Sequence, residues 1–121
     1  MEKQFIPYEQ SLALKELGFE EKCVSVYLTS NKQPYPIYRP YTNKEQTDEL
    51  LRPLYQQAFD FFREEYDLWQ IVQQNTDKDW TYDIMPIIGI MDYKLFDVFD
   101  TYEEARLGCL KKLIEIVKEK V

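Results

Sequence analysis

The chain has 121 residues, with 15 basic and 22 acidic side chains and a net charge of −7. Hydrophobic residues at 45% and aromatics at 16% are too many for intrinsic disorder and enough for one buried core. So acidic a surface repels phosphate backbones, and the lack of any histidine removes the commonest general base and every histidine-dependent triad.

The first predicted element is a helix over residues 7–17. Pro7 suits the first helical position, where no N–H is needed. Gly18 suits the left-handed position just past the end, which sets Phe19 against Leu14 in a Schellman stop. Ala13, Leu14 and Leu17 form the expected buried stripe. The run CVSVYLT, residues 23–29, is rich in β-branched and aromatic side chains and predicts a strand. Residues 30–46 hold Pro34, Pro36 and Pro40, which forbid helix and central strand. A loop is expected there, with at most an edge strand around Ile37 and Tyr38.

A helical region is expected over 47–66, broken near Arg52 because Pro53 cannot sit in a helix interior. It divides into a short helix at 47–51 and a main one at 53–66. Tyr55, Ala58, Phe59, Phe62 and Tyr66 line the apolar face of the main helix, widened by Leu54 and Phe61. The period then changes to two. Residues 69–74 predict a strand, NTDKD a turn, and Trp80, Tyr82 and Ile84 one face of a second strand, with Asp83 on the other. Residues 94–99 suggest a third. The last helix opens with Thr101 and Glu104 spaced as a capping box. It buries Tyr102, Ala105, Cys109, Leu110, Leu113, Ile116 and Val117 on one stripe. The expected fold class is α+β, a single globular domain over residues 1–121. An antiparallel sheet of three to five strands packs against a central and a C-terminal helix.

Three stretches carry a resemblance: FIPYEQSLALKELGFEEKC, PLYQQAFDFFREEYDL and DTYEEARLGCLKKLIEIVKEK. Together they resemble a family of short proteins encoded by Bacteroidetes bacteria and their phages or prophages. Members often carry a tryptophan where this chain has Phe61. The resemblance implies a mobile-element setting. It implies no mechanism, and it carries no catalytic residue onto this chain.

The residues themselves offer few reactive centres. Cys23 and Cys109 form no CxxC pair, and each has apolar neighbours, so two buried reduced thiols are expected. Ser11, Ser25 and Ser30 lack a GxSxG context. Gly18, Gly89 and Gly108 are too scattered to cradle phosphate. Asp60 and Glu64 stand four apart on the polar side of the middle helix, and Asp92, Asp97 and Asp100 cluster further on. Such groups can hold a divalent cation or run hydrolysis, but in an acidic chain they more simply form a solvated face. No cofactor or metal is expected.

Two features favour binding over catalysis. Tyr35, Tyr38 and Tyr41 recur every three residues beside prolines, a spacing that places them on one side of a polyproline II segment. They would either form a recognition surface or pack back and pin the loop. Residues 44–105 carry a net charge of −10, against 0 before and +3 after. That acidic middle would either imitate a nucleic-acid backbone in a partner's basic groove or, more simply, serve as a solubilising surface. The expected function is a non-catalytic protein-binding module of phage or prophage type, with Tyr35, Tyr38, Tyr41, Asp60 and Glu64 as contact residues. The alternative is a metal-dependent accessory enzyme or small-ligand binder using the clustered carboxylates. A protein partner is expected, with no direct nucleic acid and no membrane. A homo-oligomer stays open. The N-terminus lacks the basic start and apolar run of a signal peptide, so a cytoplasmic location is expected.

Overall fold

The computed structural model describes residues 2–41, 49–86 and 98–120, and their side chains except those of 2, 36–41, 86 and 120. The fold is α+β, and the described residues form three α-helices and two small antiparallel sheets. It divides into two compact units, Met1–Ala58 and Phe59–Val121.

In the first unit a 3₁₀ turn at Glu2–Gln4 precedes helix α1 (Tyr8–Glu16). Pro7 stands one place earlier than expected, as the extended N-cap rather than the first helical residue, with ψ at 164°. The other end follows the sequence closely. Gly18 takes φ of 101°, its N–H donates to the Lys15 carbonyl, and the Phe19 N–H donates to the Leu14 carbonyl. Leu14 and Phe19 are both buried, which completes the Schellman stop. The buried stripe is narrower than expected: Ser11 and Leu14 are buried, whereas Ala13 and Leu17 are half-buried.

Strand β1 (Cys23–Leu28) is central in a sheet of order β2-β1-β3. Strand β2 (Pro34–Tyr41) lies where mostly loop was expected. It pairs Tyr35 with Val26 and Pro34 with Tyr27, and an irregularity separates Pro36 from Tyr41 along it. Its prolines are tolerated because this is an edge. The Leu28 N–H donates to the Gln33 carbonyl, so by alternation the backbone of Pro34 and Pro36 faces away from β1, where no donor is needed.

Strand β3 (Glu49–Leu51) replaces the expected short helix. Residues 47 and 48 of that helix lie outside the described residues. Leu50 and Leu51 pair with Tyr27 and Val26 and are buried, a tertiary demand that outweighs helix propensity over three residues. The break at Arg52 and Pro53 holds. Helix α2 (Tyr55–Tyr66) starts two residues later, and the Gln57 side chain accepts from the Leu54 N–H at 3.0 Å. The core of this unit gathers Ile6, Leu14, Phe19, Val26, Leu50 and Leu51.

The second unit begins with the later turns of α2. Strands β4 (Leu68–Gln74) and β5 (Trp80–Pro86) form a seven-pair hairpin, one residue longer at its start than the sequence suggests. The turn is closed by the Asn75 N–H donating to the Asp79 carbonyl at 2.8 Å, with Lys78 at φ 69°. Of the suspected third strand only Val98 and Phe99 are described, and Phe99 exchanges two backbone hydrogen bonds with Trp80. Residues 94–97 lie outside the described residues.

Helix α3 (Tyr102–Lys120) packs on this hairpin through Ala105, Cys109, Leu110, Leu113, Ile116 and Val117, all buried. Tyr102 departs from the expected stripe. It is exposed in the first turn, its ring edge-on to Trp80 at 5.4 Å and under the Arg106 guanidinium at 5.0 Å. The capping box forms with one variation. Thr101 Oγ1 accepts from the Glu104 N–H, and the carboxylate of Glu104 meets the same hydroxyl instead of the backbone.

Candidate functional site

The hairpin has two faces because side chains alternate along a strand. Leu68, Tyr82 and Ile84 lie on the face that α3 covers, and all three are buried. The register sets Trp69 opposite Met85, Ile71 opposite Asp83 and Gln73 opposite Thr81 on the other face. There Trp69, Ile71 and Met85 are 46%, 47% and 50% exposed. Three large apolar side chains, each about half exposed, stand side by side on one face of a small sheet and make it the candidate contact surface.

Helix α2 supplies one rim. The Arg63 guanidinium sits 5.1 Å from the Trp69 ring centroid, and its Nε donates to Gln70 Oε1 at 2.9 Å. Arg63 is held from its own helix by Asp60 at 3.3 Å. The Gln70 amide in turn donates to the Phe59 carbonyl, tying the strand to the helix. These contacts restrict Trp69 before anything binds, so less side-chain entropy is lost on contact. The Gln73 amide donates to Asp83 Oδ2 at 3.1 Å and gives the patch a polar border.

The predicted contact residues fare differently. Asp60 joins the Trp69 rim through Arg63, and Glu64 is exposed one turn further along α2. Tyr35 is 52% exposed on the edge strand of the first unit. Tyr38 and Tyr41 belong to the same strand, but their side chains lie outside the described residues. Nothing in the backbone puts the three tyrosines on one side of a polyproline II segment. Residues 34–41 are strand β2, paired with β1 and broken in register between Pro36 and Tyr41, not a polyproline II segment of period three.

The nucleophile candidates are structural. Cys23 and Cys109 are free and buried. Burial, helped by nearby Glu21, pushes the Cys23 thiol up to about 12. Burial, helped by Asp83, pushes the Cys109 thiol up as well. Both are therefore neutral thiols with little nucleophilic character. The Ser25 hydroxyl donates to the Tyr35 carbonyl and accepts from Arg52, which locks it into the sheet. Among the described residues no group of three or more Cys, Asp or Glu side chains could hold a metal ion. Asp92 and Asp97 lie outside the described residues. Among those described, no helix is long and apolar enough to cross a membrane.

Sequence reasoning missed the Trp69–Ile71–Met85 patch, although a signal was there. In LWQIVQQ both parities carry apolar residues, Leu68 and Val72 on one, Trp69 and Ile71 on the other. A strand with one solvated face should alternate, so the surplus pointed to a second apolar face. No family model, no curated protein and no solved structure matches the chain.

Proposed function

We propose that this chain is a non-catalytic protein-binding module, and that the outer face of the β4–β5 hairpin is its contact surface. One observation carries the proposal: Trp69, Ile71 and Met85 stand exposed together, with Trp69 steadied by Arg63. Binding hot spots concentrate on such aromatic anchors. Chemistry is less well supported, because both thiols are buried and held neutral. A phage or prophage setting rests on the resemblance of the three sequence stretches. A cytoplasmic location fits two reduced cysteines.

The test is paired affinity capture from host extract, with the wild-type chain and the Trp69→Ser, Met85→Ser double variant as baits. Both side chains are about half exposed and lie outside the face that α3 covers, so the buried face of the hairpin is left intact. The proposal expects a protein retained by the first bait and lost from the second. Equal retention by both would refute the hairpin face as the contact surface.

A further inference from the structure

Among the described residues, the outer edge of β4 pairs with no other strand, and the outer face of the hairpin carries the exposed Trp69, Ile71 and Met85 beside a buried Thr81. Trp80 gives both its N–H and its carbonyl to Phe99, so its backbone turns away from β4. Its partner across the hairpin is Gln74. By the alternation of an antiparallel ladder, Gln74, Val72, Gln70 and Leu68 direct their N–H and C=O groups away from β5. Among the described residues no other strand takes them.

Exposed edges are normally guarded by proline, charge or shortness. The other described edges are guarded. The outward positions of β2 include Pro34 and Pro36, β3 has three residues, and β5 is bridged by Phe99 and ends in Pro86. Strand β4 has none of these devices: its seven residues, LWQIVQQ, include no charge and no proline. The rest of the chain carries −7 and repels a second copy of itself. An uncharged segment adds nothing to that repulsion, and this one also offers an open row of hydrogen-bonding groups.

We propose that β4 pairs antiparallel with β4 of a second copy of this chain, with Ile71 on the two-fold axis. This deepens the protein-binding reading of the hairpin by naming its partner, and it rests on that reading. A two-fold contact must be self-complementary. With Ile71 on the axis, Leu68 faces the second copy's Gln74, and Gln70 faces its Val72. Every outward-facing residue of β4 then has a partner. Moving the axis to Gln70 or Val72 leaves an end residue unpaired. On the exposed face the two Ile71 side chains meet and each Trp69 comes opposite a Gln73, which joins the two apolar patches into one. A single strand edge is a small interface, so a dissociation constant on the order of 10 µM is expected.

The test is light scattering behind size exclusion, from about 1 to about 300 µM, on the wild-type chain, Ile71→Lys, Ile71→Glu and an equimolar mixture of the two variants. Ile71 is half exposed, so each charge is solvated in the monomer but faces its own kind across the axis of the dimer. The expected result is a concentration-dependent wild-type dimer, two monomeric variants, and a dimer restored on mixing. A wild-type chain that stays monomeric, a dimer that survives either charge, or variants that fail to recombine would each overturn the proposal. A second measurement needs no variant. Hydrogen exchange of the wild-type Gln70 and Val72 amides should slow with rising concentration, while the Ile71 and Gln73 amides, already bonded to β5, stay protected throughout. Equal exchange of Gln70 and Val72 at both extremes contradicts the pairing. The two readings can fail separately. A monomeric chain whose captured partner is still lost in the Trp69→Ser, Met85→Ser variant rules out the dimer and leaves the binding surface standing.

Discussion

The Phe99 ring occupies the space that a side chain at Gly108 would need: a Cβ built there lies 2.6 Å from Cζ of the ring. The ring cannot easily give way, because it stacks on Tyr82 at 6.2 Å and its backbone is bonded to Trp80 on both sides. Gly108 therefore tolerates a mid-helix glycine's weaker propensity so that α3 can approach this ring.

Gly108→Ala should consequently destabilise the protein. Overpacking costs about 1–3 kcal/mol, against a helix-propensity gain of about 1 kcal/mol. Thermal melting should show a net loss of a few degrees. In the Gly108→Ala, Phe99→Leu double variant, the alanine should cost less than it does alone, a coupling that a double-mutant cycle measures.

The two thiols should be unreactive in the native state. At pH 8 a chromogenic disulfide reagent should label Cys23 and Cys109 slowly in buffer and rapidly in denaturant, since both are buried and held neutral. Their linkage to stability has a definite sign. The folded Cys23 thiol titrates near 12 instead of about 9, so above pH 9 the unfolded chain loses this proton first. The thiol contribution is thus intact below pH 9 and declines as pH rises from 9 towards 12. Denaturant midpoints measured with a Cys23→Ala, Cys109→Ala variant should fall less steeply across that window than those of the wild type.

Arg52 is buried in the first unit, its guanidinium 4.1 Å from the Phe5 ring centroid and 5.4 Å from that of Tyr27. Its Nη1 also donates to Ser25 Oγ. A lysine keeps the charge but has neither the planar stacking surface nor the fork of donors. Arg52→Lys should cost about 1–3 kcal/mol in a denaturant titration.

Ser11 is buried on α1, and its hydroxyl has no hydrogen-bond partner among the described residues. Ser11→Ala removes a desolvated polar group and improves helix propensity. It should raise stability by about 0.5–1.5 kcal/mol, read as a higher denaturant midpoint.

The elements legible in the sequence are those set by neighbours along the chain. Gly18 with Leu14 and Phe19, and Thr101 with Glu104, are local devices whose chemistry is complete within a few residues. Strand β3 was not legible, because Glu49, Leu50 and Leu51 suit a helix equally well and only pairing with β1 decides. The prolines of β2 argue against a central strand. They do not argue against an edge, and which strand becomes an edge depends on the whole topology. In the candidate site, Asp60 belongs to the contact surface only through Arg63, a bridge that spacing along a helix cannot show. Along the chain Trp69 and Ile71 are ordinary strand residues, since which hairpin face α3 covers is not written in β4 itself.

Photo-crosslinking from single positions tests the contact surface most directly. A benzoylphenylalanine placed in turn at Tyr35, Glu64 and Trp69, each exposed, would be irradiated in the host cell. The account predicts a discrete adduct from position 69 and none from 35. An adduct from 35 or 64 with none from 69 would contradict it.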